Sequence, residues 1–120
     1  MITVLIADDT MFMRTTLKKV LSDAGFDVIG EAENGQVAVA RYQELRPDVV
    51  MLDITMPVMD GLTALQEIKN ADPDASVIMC TALGQERVMM QALECGAKDY
   101  ILKPFKPEKV VEAVKKASVK

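Results

Sequence analysis

Two hydrophobic periods alternate along the chain. Short apolar runs occur at Val4–Ala7, Val28–Ile29, Val49–Leu52, Val77–Cys80 and Tyr100–Leu102, each bounded by charged or turn-forming residues. Their length and β-branched content predict five strands. The intervening stretches carry apolar residues at helical spacing. Met13, Leu17, Val20, Leu21 and Ala24 share one face of a first helix, and Gly25 is its stop signal. Ala38, Tyr42 and Leu45 mark a second helix closed by Pro47. Leu62, Leu65 and Ile68 mark a third, closed near Pro73. Val88, Ala92 and Cys95 mark a fourth, closed by Gly96. Val110, Val111 and Val114 mark the last, opened by Pro107 near its first turn.

Five β-α alternations predict an α/β domain with one doubly wound parallel sheet and five helices on both its faces. The first and third runs are almost purely apolar, as strands covered on both sides must be. The second is flanked by Asp27 and Glu31 and the fifth by Asp99 and Lys103, which marks both as edges. With right-handed crossovers, the order 2-1-3-4-5 satisfies these constraints. This is the flavodoxin-like arrangement. The 120 residues are one domain's worth. A single domain over residues 1–120 is expected, with no separate output domain.

Composition narrows the chemistry. Aromatics make up 4% of the chain and there are nine Met, so aliphatic residues and Met must fill the core. The formal net charge of -4 speaks against a nucleic-acid surface built on a basic patch. The absence of His excludes Ser-His-Asp catalysis, His metal ligation and self-phosphorylation on histidine. Cys80 ends an apolar run and reads as a buried thiol, and Cys80 and Cys95 lack metal-ligand spacing. No apolar run approaches the roughly 20 residues of a membrane span, and no signal peptide opens the chain. A monomer in a reducing cytoplasm, without membrane or nucleic-acid partners, is expected.

In such sheets function gathers at the carboxyl ends of the strands. The first strand ends in Asp8 and Asp9, the third in Asp53, the fourth in Thr81, and the fifth in Lys103 before Pro104. Each alone has an ordinary explanation. Asp9 or Thr10 can cap the first helix, Asp53 can start the turn before Pro57, Thr81 can be a turn residue and Lys103 a surface lysine. Their convergence on one rim is harder to explain that way. Clustered carboxylates repel, and a hard cation resolves the repulsion. Mg²⁺ accepts oxygen ligands and binds one or two carboxylates together with phosphate oxygens. Lys103 and Thr81 supply an ammonium and a hydroxyl suited to phosphoryl oxygens. With no base and no nucleotide loop, the nucleophile is a carboxylate that forms an acyl phosphate. Asp53, central at the end of the third strand, is the candidate, and Asp8 and Asp9 lie where they can hold the metal.

The segments VLIADD (Val4–Asp9), VVMLDITMPVMDG (Val49–Gly61), MCTA (Met79–Ala82) and DYILKPF (Asp99–Phe105) together resemble response-regulator receiver domains, over essentially the whole chain. The single-domain chemotaxis members are the nearest in pattern. The resemblance implies phosphorylation of Asp53 by a histidine kinase, with Mg²⁺ bound by Asp9, Asp53 and the main-chain carbonyl of Thr55, and Asp8 close by in the acidic pocket. It implies Thr81 and Tyr100 as a switch pair, Lys103 on the phosphoryl group and a cis Lys103–Pro104 bond. Such a protein is a signalling switch rather than an enzyme. It catalyses only its own phosphorylation and slow self-dephosphorylation, and its switched surface is the face of the fourth helix, fifth strand and fifth helix. Met89 and Met90 are expected to divide between core and partner surface.

By the same resemblance, the expected partners are a chemotaxis-type kinase, the flagellar motor switch protein and a phosphatase. The alternative output is a phosphorelay intermediate that hands its phosphoryl group to a histidine phosphotransfer domain. A haloacid-dehalogenase-type phosphatase is a remote alternative, since it needs Asp-x-Asp where this chain has adjacent Asp8 and Asp9. A flavin carrier would need a hydroxyl-rich loop and aromatics that are missing here. Many family members carry Asn two residues beyond the phosphorylated Asp, where this chain has Thr55, and Leu83 stands two beyond Thr81. Leu83 is expected to shield Asp53 from water, and Thr55 lacks an amide donor, so slow self-dephosphorylation is expected.

Overall fold

The computed structural model describes residues 1–119. The elements run β1 (Thr3–Ala7), α1 (Met11–Asp23), β2 (Asp27–Ala32), α2 (Gly35–Leu45), β3 (Val49–Asp53), α3 (Gly61–Ala71), β4 (Val77–Thr81), α4 (Glu86–Glu94), β5 (Asp99–Leu102) and α5 (Pro107–Ser118). The five strands pair in parallel in the order β2-β1-β3-β4-β5. The alternation, the strand order and the two edge strands are those expected from the sequence.

Period-2 alternation sorts the strand residues between two cores. Leu5, Val50, Leu52, Val77 and Met79 join Ala38, Tyr42, Leu65, Ile68 and Ala92, so α2, α3 and α4 cover one face. Val4, Ile6, Met51, Ile78 and Ile101 join Leu17, Leu21, Val110 and Val114, so α1 and α5 cover the other. Each fully buried Leu or Ile contributes about 1.5–3 kcal/mol. Cys80 lies in the second core, where burial pushes its thiol pKa up. Met89 packs against the first core while Met90 is exposed.

Element boundaries follow caps rather than hydrophobic period. Helix α1 begins at Met11, before the first periodic residue, because Thr10 Oγ1 accepts a hydrogen bond from the Met13 N–H at 3.3 Å. Asn34 and Asp60 cap α2 and α3 in the same way, accepting from Val37 and Thr63 at 2.9 and 2.8 Å. Strand β2 is longer than its apolar pair Val28–Ile29. Its register on β1 shifts, with Val4 opposite Val28 and Leu5 opposite Gly30, so a bulge at Ile29 blurs the alternation.

A polar lock joins α2 to the end of α3. The Tyr42 hydroxyl donates to Asp72 Oδ2 at 2.6 Å, and Arg46 Nη1 reaches the same oxygen at 3.2 Å with its guanidinium 5.5 Å from the Tyr42 ring centroid. Burial, reinforced by the hydrogen bond to Asp72, pushes the Tyr42 pKa up to about 12. The folded state therefore holds this proton when the unfolded chain, titrating near 10, has lost it. Tyr42 thus stabilises the fold fully below pH 10, and the contribution is lost as pH rises from 10 to 12. Chemical denaturation from pH 9 to 12 should show Tyr42→Phe less stable by about 1–2 kcal/mol at pH 9, with the gap closing as pH rises. A constant gap would refute the linkage.

Candidate functional site

The strand alternation that builds the cores also builds the site. Ile6, Met51 and Ile101 belong to the α1/α5 core. Two residues further along each chain direction stand Asp8, Asp53 and Lys103, at the C-terminal edge and on the same side of the sheet. Registry levels Asp8 with Asp53, since Ile6 pairs with Met51, and levels Asp53 with Ile101 through Cys80, so Lys103 starts two residues further on and its long side chain reaches back. Lys103 Nζ accordingly lies 3.1 Å from Asp8 Oδ2 and 3.1 Å from Asp53 Oδ2. Asp8 and Asp53 are 1% and 6% exposed, whereas Asp9 is exposed at the mouth. One oxygen from each of Asp8, Asp9 and Asp53 lies within 4.8 Å of the others.

The roles of the two adjacent acids diverge. Asp8 Oδ1 accepts from both the Thr10 N–H, at 2.9 Å, and the Thr10 hydroxyl, at 3.1 Å, while Oδ2 accepts from Lys103. Arg14 Nη1 donates to the Asp8 main-chain carbonyl at 2.7 Å. Asp8 is thus anchored by protein donors and orients Lys103. Asp9 and Asp53 offer oxygens to an ion at the mouth.

Burial raises the Asp53 pKa, Lys103 pulls it down by charge and hydrogen bonding, and neighbouring Asp8 pushes it up again, so the net shift is upward. The Thr55 N–H, acting on the Asp53 carboxylate, works in the lowering direction. Burial alone would lower the Lys103 pKa. Its hydrogen bonds and charge pairing with Asp8 and Asp53 outweigh that, and the net shift is up. The ammonium therefore stays charged between two carboxylates. Three clustered acids against one ammonium leave excess negative charge on an all-oxygen donor set, which suits a hard divalent cation.

The other expected residues surround this rim. Thr81 is buried at the end of β4, and its hydroxyl donates to the Ala82 carbonyl at 3.2 Å. Tyr100 stands outward on β5, 45% exposed. The Lys103–Pro104 bond is cis. Leu83 is 82% exposed, and its side chain reaches solvent in this arrangement. The side chain that spans the mouth is Gln85, which donates to Thr55 Oγ1 at 2.6 Å and accepts from the Ala82 N–H at 2.7 Å. Sequence reasoning missed Gln85 because a polar residue between Gly84 and a helix looks like an ordinary loop residue. It also gave Gly61 no role. The Gly61 N–H donates to the Ile54 carbonyl at 2.8 Å, and a Cβ there would overlap the Asp53 carbonyl oxygen.

This is the fold and acidic site of a receiver: the chain belongs to the response regulator receiver domain family, whose pattern matches residues 4–115. It is 53% identical over 118 residues to the chemotaxis protein CheY of Listeria monocytogenes, covering 98% of this chain and 99% of that protein. It is 52% identical over 115 residues to the CheY of Thermotoga maritima, covering 96% of each. Its structure superimposes with a TM-score of 0.93 on a chain of the CheX–CheY–BeF3–Mg²⁺ complex from Borrelia burgdorferi, at 41% identity over 99% of this chain and 90% of that one. No helix among the described residues is long and apolar enough to cross a membrane.

Proposed function

We propose that this chain is a chemotaxis response regulator, a receiver domain that is switched by phosphorylation of Asp53. The observation that carries the reading is the Lys103 ammonium held at 3.1 Å from both Asp8 and Asp53 inside a cluster of three acids. A carboxylate oxygen of Asp53 attacks the phosphorus of a phosphohistidine on a histidine kinase. The O–P bond forms as the P–N bond breaks, and the leaving imidazole takes up a proton. Asp9, Asp53 and the Thr55 main-chain carbonyl would hold Mg²⁺, with Asp8 beside them, and the ion would neutralise charge on the transferring group.

Lys103 then follows the phosphoryl oxygens and loosens from Asp53. The Thr81 hydroxyl leaves the Ala82 carbonyl for another phosphoryl oxygen, and Tyr100 rotates into the space released. A local gain of charge is thereby read out on the α4–β5–α5 face. The chain acts as a switch whose only chemistry is gaining and losing its own phosphoryl group. Its partners are a kinase, a phosphatase and the flagellar motor switch protein. The names of the relatives, chemotaxis proteins at about half identity over nearly the whole chain, support this output.

The test is a pull-down with the flagellar motor switch protein, with and without acetyl phosphate and Mg²⁺. Retention should rise at least tenfold on phosphorylation. Unchanged retention, combined with transfer of label to a histidine phosphotransfer domain, would favour a phosphorelay intermediate instead.

A further inference from the structure

We propose that Gln85 is a latch that holds the mouth of the site in its unphosphorylated arrangement and must release for Asp53 to carry its phosphoryl group. The inference rests on the reading of Asp53 as phosphoacceptor. The Gln85 carboxamide bridges two loops. Oε1 accepts from the Ala82 N–H at 2.7 Å and Nε2 donates to Thr55 Oγ1 at 2.6 Å. The orientation of the amide is forced, because the Ala82 N–H is a donor only and can meet only the oxygen. Thr55 stands two residues beyond Asp53, with its N–H acting on the Asp53 carboxylate, and Ala82 directly follows Thr81. The latch is therefore one residue removed from the phosphoacceptor on one side and from the Thr81 hydroxyl on the other.

Gln85 is also the N-cap residue of α4. Its N–H donates to the Ala82 carbonyl at 3.2 Å and its carbonyl accepts from the Met89 N–H at 2.9 Å. Ser, Thr, Asp and Asn are the usual capping residues, and the Gln85 side chain makes no cap bond. Its carboxamide is committed instead to the loop bridge. The Ala82 carbonyl is held from two directions, by the Gln85 N–H and by the Thr81 hydroxyl.

A phosphoryl group on Asp53 brings three strong acceptor oxygens. Lys103 and Thr81 supply two donors, and the Ala82 N–H is the backbone donor at the same strand end, already taken by Gln85. An oxygen that captures this N–H displaces Oε1, breaks the tie to Thr55 and frees the first turn of α4. The charge event at Asp53 and the start of the α4 surface are joined through this one side chain.

The experiment is isothermal titration of the Mg²⁺-loaded chain with beryllofluoride as the phosphoryl mimic, on wild type, Gln85→Ala, Thr55→Val, Thr55→Ser and the Gln85→Ala/Thr55→Val pair. Losing the latch removes hydrogen bonds from the free state only, so Gln85→Ala should bind about threefold to tenfold tighter. Thr55→Val should tighten binding in the same direction, and the pair should bind no tighter than Gln85→Ala alone. Thr55→Ser keeps the hydroxyl and should match wild type. Equal or weaker binding by Gln85→Ala overturns the latch, as does Thr55→Ser behaving like Thr55→Val. Failure of wild type itself to bind overturns the phosphoacceptor reading and the latch with it.

Discussion

Asp53→Asn should lose at least a hundredfold in acetyl-phosphate labelling while melting at a higher temperature than wild type in Mg²⁺-free buffer at pH 7. The first effect follows from the proposed chemistry. The amide keeps the shape of the side chain but has neither a nucleophilic carboxylate oxygen nor the charge to hold a divalent ion. The second follows from the electrostatics of the free site. The Asp53 pKa is raised by burial, so the folded state holds this proton more tightly than the unfolded chain does. The associated stability is present at low pH and is lost as pH rises from the ordinary value of 3.8 through the folded one. At pH 7 the ionised group is a net cost that an amide removes. Lys103 does lose a charged partner, but it keeps Asp8 at 3.1 Å, the larger of its hydrogen-bonding influences. Desolvation at Asp53 therefore decides the sign. Intact-mass labelling and a thermal melt check both halves. Wild-type labelling would remove Asp53 from the chemistry, and a lowered melting temperature would show that its pairing with Lys103 outweighs its burial.

The fold and the convergence of the site residues are legible in the sequence as far as alternation reaches. The two apolar central strands, the charged flanks of the edge strands and the helical spacing between them were enough for the strand order. A period of two, extended past Ile6, Met51 and Ile101, then places Asp8, Asp53 and Lys103 on one side of the sheet at its C-terminal rim, where the long Lys103 side chain closes the remaining offset. Those residues converge because the same alternation that buries the core runs off the end of each strand into the site.

What the sequence does not carry is what its periods do not encode. The bulge at Ile29 hides half of β2, and Thr10 starts α1 ahead of its apolar face. Which of Asp8 and Asp9 is anchored by Thr10 and which is open to the mouth depends on backbone turn geometry. The hydrophobicity of Leu83 does not reveal that the loop turns it to solvent, nor does Gln85 announce that it crosses to Thr55. Side-chain direction in a short loop is set by a few hydrogen bonds, and no spacing rule reports them.

Gly61 is a residue whose importance is hard to see in the sequence and whose replacement should disturb both the fold and the site. Gly61→Ala should cost about 2 kcal/mol or more. Helix propensity argues the other way, since Ala is favoured over Gly by roughly 1 kcal/mol inside a helix. Gly61, however, opens α3 with its Cα side against the end of β3. An added Cβ would overlap the Asp53 carbonyl oxygen and sit 2.9 Å from Ile54 Cα. Both are backbone atoms in the sheet's central strand region, so no rotamer change relieves the contact and the loop must shift. Gly84 is the control. It has a φ of +90 and open space where a Cβ would go, so Gly84→Ala meets only left-handed backbone strain, about 1–2 kcal/mol. The shift forced at Gly61 is transmitted through the Asp53 carbonyl to the carboxylate that Lys103 holds, and misplacement of a reacting group by about 1 Å can cost a hundredfold in rate. Well below its melting temperature, folded Gly61→Ala should label with acetyl phosphate at least tenfold more slowly, whereas Gly84→Ala should label within a fewfold of wild type. Equal stability and equal labelling in Gly61→Ala would show that the β3–α3 junction yields freely, and that the position of Asp53 does not depend on this close approach.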